Sequence, residues 1–125
     1  MTENDVAKII VDAAYHIHSR FGPGLLESAY QAMLAHELGK RGLRVECEKP
    51  VPLVYDEVVL ELGYRADMLV EDLVLVELKA VEQTAPVHKR QLLTYLKLTD
   101  KRLGLLINFG TALIKDGIHR VANGL

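Results

Sequence analysis

The chain has 125 residues and a mass of 14.0 kDa, with half its residues hydrophobic, which gives one core and leaves no room for a second domain within these residues. The single cysteine, Cys47, excludes an internal disulfide and fits a reducing, cytoplasmic setting. The acidic start Met-Thr-Glu-Asn-Asp is unlike a secretory signal, and no apolar run approaches a membrane span, so no membrane partner is expected.

Residues 5–20 read as a helix, because Val6, Ile9, Ile10, Ala13, Ala14 and Ile17 recur at three- and four-residue steps, with Asn4 or Asp5 as the expected cap. Gly22-Pro23-Gly24 breaks it. A second helix is expected from Leu25 to Lys40, with Leu26, Ala29, Tyr30, Met33 and Leu34 as its stripe. The period then becomes two. Val45, Cys47, Val51, Leu53 and Tyr55 alternate with charged residues, and Pro50 and Pro52 confine this segment to an edge or a bulged strand. Val58 to Val70 alternates more cleanly and predicts one strand, followed by a turn at Glu71-Asp72 and a central strand from Val74 to Lys79. Thr84 is the expected cap of a helix running to about Leu98, with Pro86 in its first turn. Leu103 to Phe109 reads as a buried strand, and Ile118 to Val121 as one more short one. The order α-α-β-β-β-α-β predicts a mixed central sheet flanked by helices in a single α/β domain over residues 1–125.

Charge is unevenly spread over these elements. The net charge is -2, yet residues 83–125 carry Lys89, Arg90, Lys97, Lys101, Arg102, Lys115 and Arg120 against Asp100 and Asp116. That segment is basic, and asymmetry of this kind can hide a phosphate-facing surface. The other reading is a solvated helix face.

The chemistry centres on Asp67 and Glu77-Leu78-Lys79. Glu77 and Lys79 are two apart on a strand and share a face. If Val70 pairs Leu73, Asp67 falls on the opposite face. If Val70 pairs Val74 around Glu71-Asp72-Leu73, Asp67 stands opposite Glu77. A functional site requires the second register. Two neighbouring carboxylates resist joint ionisation, and a hard divalent cation, Mg²⁺ or Mn²⁺, relieves this. Lys79 beside that cation could orient a water or offset charge developing on a phosphate. The competing reading of Glu77 and Lys79 is a surface ion pair. On the following helix Gln91 and Tyr95 are four apart and share a face, with His88 on the same side. On the second helix Glu27 and Tyr30 share a face in the first turns.

Gly24-Leu25-Leu26-Glu27-Ser28-Ala29-Tyr30 resembles the signature of the GxxExxY proteins. Asp67, Glu77-Leu78-Lys79-Ala80-Val81, the Gln91–Tyr95 pair and Gly104-Leu105-Leu106-Ile107-Asn108-Phe109-Gly110 are similar to the same family, so the resemblance covers nearly the whole chain. That family belongs with the PD-(D/E)XK nucleases and resembles their RecB-like branch. The resemblance implies a restriction-endonuclease-like core and Mg²⁺- or Mn²⁺-dependent hydrolysis of phosphodiester bonds in DNA or RNA. It implies Asp67, Glu77 and the Leu78 carbonyl as metal ligands, Glu27 as a further acidic ligand, Lys79 as the catalytic lysine, and Gln91 and Tyr95 as residues that shape the site. His88, Lys89, Arg90 and Lys97 are the expected nucleic-acid contacts. A homodimer or a partner protein would supply substrate choice that so small a chain lacks. The alternative is a non-catalytic nucleic-acid-binding or protein-interaction module that keeps the fold.

Overall fold

The computed structural model describes residues 1–125. Two helices come first, α1 (Glu3–Phe21) and α2 (Glu27–Lys40). They are followed by β1 (Val45–Pro50), β2 (Leu53–Tyr55), β3 (Val58–Leu60), β4 (Arg65–Val70) and β5 (Val74–Lys79). Then come α3 (Pro86–Thr99), β6 (Leu103–Asn108), a 3-10 turn at Ile114–Gly117, and β7 (Ile118–Ala122). The main sheet has five strands in the order β1-β4-β5-β6-β7, with β5 and β6 parallel and the other pairs antiparallel. It is the mixed, helix-flanked sheet that the sequence predicts.

Several local expectations give way. The cap of α1 is Thr2, not Asn4 or Asp5. Its Oγ1 accepts from the Asp5 N–H (3.2 Å) and Asp5 Oδ2 accepts from the Thr2 N–H (2.9 Å), which satisfies two otherwise orphaned donors. The second helix starts two residues late, leaving Leu26 outside it and 76% exposed. Thr84 is not the cap of α3. Ala85 holds that position and His88 Nδ1 accepts its N–H (3.1 Å). The segment 58–70 is not one strand. It breaks between Leu60 and Arg65, where Gly63 takes φ +81°, and β2 and β3 form a separate two-stranded hairpin. Hairpin residues Val54, Tyr55, Val58 and Val59 are exposed. The edge position inferred from Pro50 and Pro52 is correct for β1, which pairs only with β4 in the main sheet.

The sheet separates two apolar layers. Val6, Ile10, Ile17, Leu34 and Leu38 of α1 and α2 pack on Met68, Val70, Val74, Val76 and Leu78. Leu92, Tyr95 and Leu96 of α3 pack on Leu69, Leu75 and Leu106. The first cluster holds 20 buried residues and the second 9, so the single helix α3 covers its face incompletely. Polar residues on that face can therefore meet solvent, and the site lies there.

Two side chains hold the loops around that opening. Tyr30 stacks on Phe109 with ring centroids 4.4 Å apart, donates its hydroxyl to the Gly22 carbonyl and accepts from the Leu25 N–H (3.1 Å). This fixes the turn into α2 and hence the position of Glu27. Asn108 is fully buried. Its Oδ1 accepts from the N–H groups of Val81 (3.1 Å) and Gly110 (3.0 Å), and its Nδ2 donates to the Val81 carbonyl (2.8 Å). The chain leaving β5 is thereby tied to the end of β6. A Cβ on Gly110 would lie 2.2 Å from the Val81 carbonyl oxygen, which explains the glycine there. Asn108→Ala should strand these backbone groups and lower stability by about 2–3 kcal/mol in urea unfolding. A loss under about 0.5 kcal/mol would show that water replaces the clamp.

Candidate active site

The pairs Met68↔Val76, Leu69↔Leu75 and Val70↔Val74 leave Glu71, Asp72 and Leu73 as the loop between β4 and β5. Glu71 and Asp72 both adopt left-handed backbone (φ +54° and +55°). This is the odd-length loop that the sequence requires, and one further step along the register sets Asp67 opposite Glu77. Alternation puts both residues, with Lys79, on the α3 face, because Met68, Val76 and Leu78 enter the opposite core.

At Asp67 and Glu77 the ordinary exchange of backbone hydrogen bonds stops and the side chains take over. Glu77 Oε1 accepts from the Asp67 N–H (2.9 Å), and Asp67 Oδ2 accepts from the Leu78 N–H (2.7 Å). Each carboxylate therefore has one oxygen tied to the backbone. No buried side-chain polar atom lacks a partner, so the second oxygen of each is not sealed away from solvent. Burial pushes the Glu77 carboxyl up to about 8, helped by the neighbouring Asp67 charge. Burial also raises Asp67, with the charges of Glu27 and Glu48 adding to it and the Leu78 N–H opposing. Lys79 favours ionisation of both, too weakly to cancel burial. The pair is a site short of positive charge.

Glu27 is the first residue of α2, is exposed, and acts on both carboxylates through its charge. It does not close in on them, for no three His, Cys, Asp or Glu side chains converge as a ready-made metal cage. Glu48 is a residue that the sequence did not single out. The pairs Cys47↔Met68 and Lys49↔Ala66 leave it opposite Asp67, and its backbone is left-handed (φ +54°). Glu48 Oε1 accepts from Gln31 Nε2 (2.9 Å). Glu48, Asp67 and Glu77 thus lie in one row across three neighbouring strands. The positive φ needed at Glu48 carries no local signal in the sequence.

Gln91 Nε2 donates to the Tyr95 hydroxyl (3.1 Å), so the structure brings this pair together as expected. Tyr95 is nearly buried and its phenol is raised by burial and by the Glu77 charge, which sets it at the margin of the acidic pair. His88 has one ring nitrogen committed to the start of α3. Lys89, Arg90 and Lys97 are exposed on α3 and form no ion pair. Arg90 and Lys97, seven residues apart, lie on nearly the same helical face. Lys89 lies close enough to His119 of β7 to depress its imidazole, after burial. His119 pairs with Leu106, which pairs with Glu77, so this lysine overlies the same row of the sheet two strands away. Of the other basic residues in residues 83–125, Lys101 pairs with Asp72 (3.0 Å) and Arg120 donates to Asn4 (2.6 Å), away from α3.

A cleft of about 490 Å³ lies along the outer surface of α1 beside Lys8, Tyr15 and Arg41. Its acid, Asp12, is neutralised by Arg41 at 2.6 Å, so it lacks the strained pair of Asp67 and Glu77. No helix is long and apolar enough to cross a membrane. A family model described as the PD-(D/E)XK nuclease superfamily matches residues 4–121. No curated protein and no solved structure matches the chain.

Proposed function

Because the chain belongs to the PD-(D/E)XK nuclease superfamily, we propose that it is a divalent-metal-dependent nuclease that hydrolyses phosphodiester bonds in DNA or RNA at Asp67, Glu77 and Lys79. The observation that carries this reading is the Asp67–Glu77 pair, two neighbouring carboxylates with raised proton affinity, each with one oxygen not engaged by the backbone. Within the superfamily, the Gly24-x-x-Glu27-x-x-Tyr30 motif supports reading the chain as one of the GxxExxY proteins of the RecB-like branch.

The donor set fits Mg²⁺ or Mn²⁺. Hard cations of this size take one or two carboxylates and keep several waters. Asp67 and Glu77 would be the direct ligands together with the Leu78 carbonyl, and Glu27, standing apart, would act through a bound water. When bound, the cation supplies Lewis-acid stabilisation of the phosphate and lowers the pKa of a coordinated water. Lys79 orients the attacking water and offsets negative charge on the phosphate. The Gln91–Tyr95 pair would shape the side of the site next to Glu77. Lys89, Arg90 and Lys97 hold the phosphate backbone over the sheet, and His88 sets the start of the helix that presents them. Lone Cys47, exposed and unpaired, fits a cytoplasmic location.

The test is incubation of the purified protein with Mg²⁺ or Mn²⁺ and labelled linear, circular, single-stranded and branched nucleic acids. Cleavage by the parent and none by Glu77→Ala is expected, and equal products from both would remove the assignment. A second prediction concerns α3. Replacing Lys89 and Arg90 together by Ala should weaken binding on every sequence and reduce the salt slope by roughly two, about one per lost phosphate contact. An unchanged slope would take α3 out of the interface.

A further inference from the structure

Beside the acidic row lies a second cavity, of about 340 Å³, whose walls are two segments of chain, Pro50 to Pro52 and Glu61 to Arg65. The Val51 N–H donates to the Tyr64 carbonyl (2.8 Å), which holds the two segments together, and the buried Val51 side chain anchors them to the α3-side core. The walls are rigid where it matters: two prolines stand on one side, and the hairpin exit on the other is turned at Gly63 (φ +81°). Tyr64 is 46% exposed. Its ring lies 6.4 Å from that of Tyr95 at an interplanar angle of 56°, and Tyr95 in turn feels the Glu77 charge. Arg65, two residues before Asp67 on β4, donates to the Glu48 carbonyl (3.3 Å). Tyr64 and Arg65 thus connect the cavity to the strand and side chains that carry the acidic row.

We infer that this cavity seats one unstacked nucleobase of the strand whose phosphate lies at Asp67 and Glu77, so that the substrate is single-stranded or has a nucleotide drawn out of its helix. The inference rests on the nuclease reading for the phosphate and on the cavity for the base. Its lining carries one acid, Glu61, and one base, Arg65, so it suits a ring without formal charge better than a second phosphate. Tyr64 supplies a flat aromatic surface and the prolines supply apolar walls, and a base stacks on an aromatic ring with little regard to sequence. Substrate choice then comes from strand accessibility and needs no separate recognition domain.

The experiment uses the full chain with Ca²⁺ in place of Mg²⁺, so that binding is read without turnover, and a single-stranded oligonucleotide carrying 2-aminopurine at successive positions. One position should show altered emission on binding, and the same sequence in a duplex should show none. Tyr64→Ala should abolish that signal and weaken single-strand binding at least about fivefold, while Tyr64→Phe should retain both. Cleavage in Mg²⁺ is measured in parallel. A Tyr64→Ala protein that binds and reports like the parent overturns the base seat and leaves the nuclease reading standing. A parent that gives the signal but never cleaves keeps the seat and removes the nuclease reading. No binding to any strand overturns both.

Discussion

Lys79→Ala should lower the cleavage rate by roughly 10²–10³-fold and leave nucleic-acid affinity within about twofold. Lys79 shares its face with Glu77, is half-buried, and takes part in no salt bridge. Its ammonium is therefore free to serve a reacting phosphate instead of a structural partner. An interaction made mainly as charge develops raises the rate without tightening ground-state binding. Lys79→Arg should recover little, because a planar guanidinium cannot occupy the place of a compact ammonium against the same partners. Single-turnover cleavage and binding titrations decide it. If rate and affinity fall together by the same factor, Lys79 is a binding residue and the catalytic assignment is wrong.

The metal-free protein should lose stability as pH rises from about 5 to about 8.5, and Glu77→Gln should remove most of that loss. The folded Glu77 carboxyl holds its proton to about pH 8, against 4.5 for the ordinary group. Between these values the folded state keeps a proton that the unfolded state has released. Stability is then full below the unfolded value and falls as pH climbs toward the folded one. Asp67 is shifted in the same direction and adds to the effect. A separation of this size is worth on the order of 5 kcal/mol before relaxation of the site, which corresponds to a fall in Tm of roughly 10 °C or more for a domain of this length. Thermal melts in EDTA across that pH range measure it. Mg²⁺ or Mn²⁺ should restore the lost stability most strongly at the alkaline end, where no proton has to be displaced. A flat EDTA profile for the parent would mean that the Asp67–Glu77 pair is already neutralised by something within the fold.

The central features of the site were legible because they depend on local rules. Glu77 and Lys79 share a face by strand alternation, and the alternative turns after Val70 allowed only one register that joins Asp67 to them. Gln91 and Tyr95 met because four residues make about one helical turn. What escaped depends on partners distant in sequence. Glu48 gains its place because β1 pairs with β4 and puts it opposite Asp67, and nothing near Glu48 announces that pairing. The fully buried Asn108 answers for Val81, 27 residues away, so its value appears only when β5 and β6 lie side by side. The apolar alternation through residues 58–70 looked continuous because both pieces are strands, and only Gly63 hinted at the break. The cap of α1 was misplaced by two residues or more because Thr2 lies outside the apolar repeat used to locate that helix.

The small hairpin of β2 and β3 also bears on how the protein behaves at high concentration. The outer edges of the main sheet carry Glu46, Glu48 and Lys49 on β1 and His119 and Arg120 on β7, charge and bulk that discourage another chain from adding a strand. The hairpin has no such guard along its length, with Val54, Tyr55, Val58 and Val59 all turned to solvent and both of its edges unpaired. Asp56 and Glu57 at the tip are its only gatekeepers against self-association. This arm is therefore where self-association on warming or crowding is expected to begin.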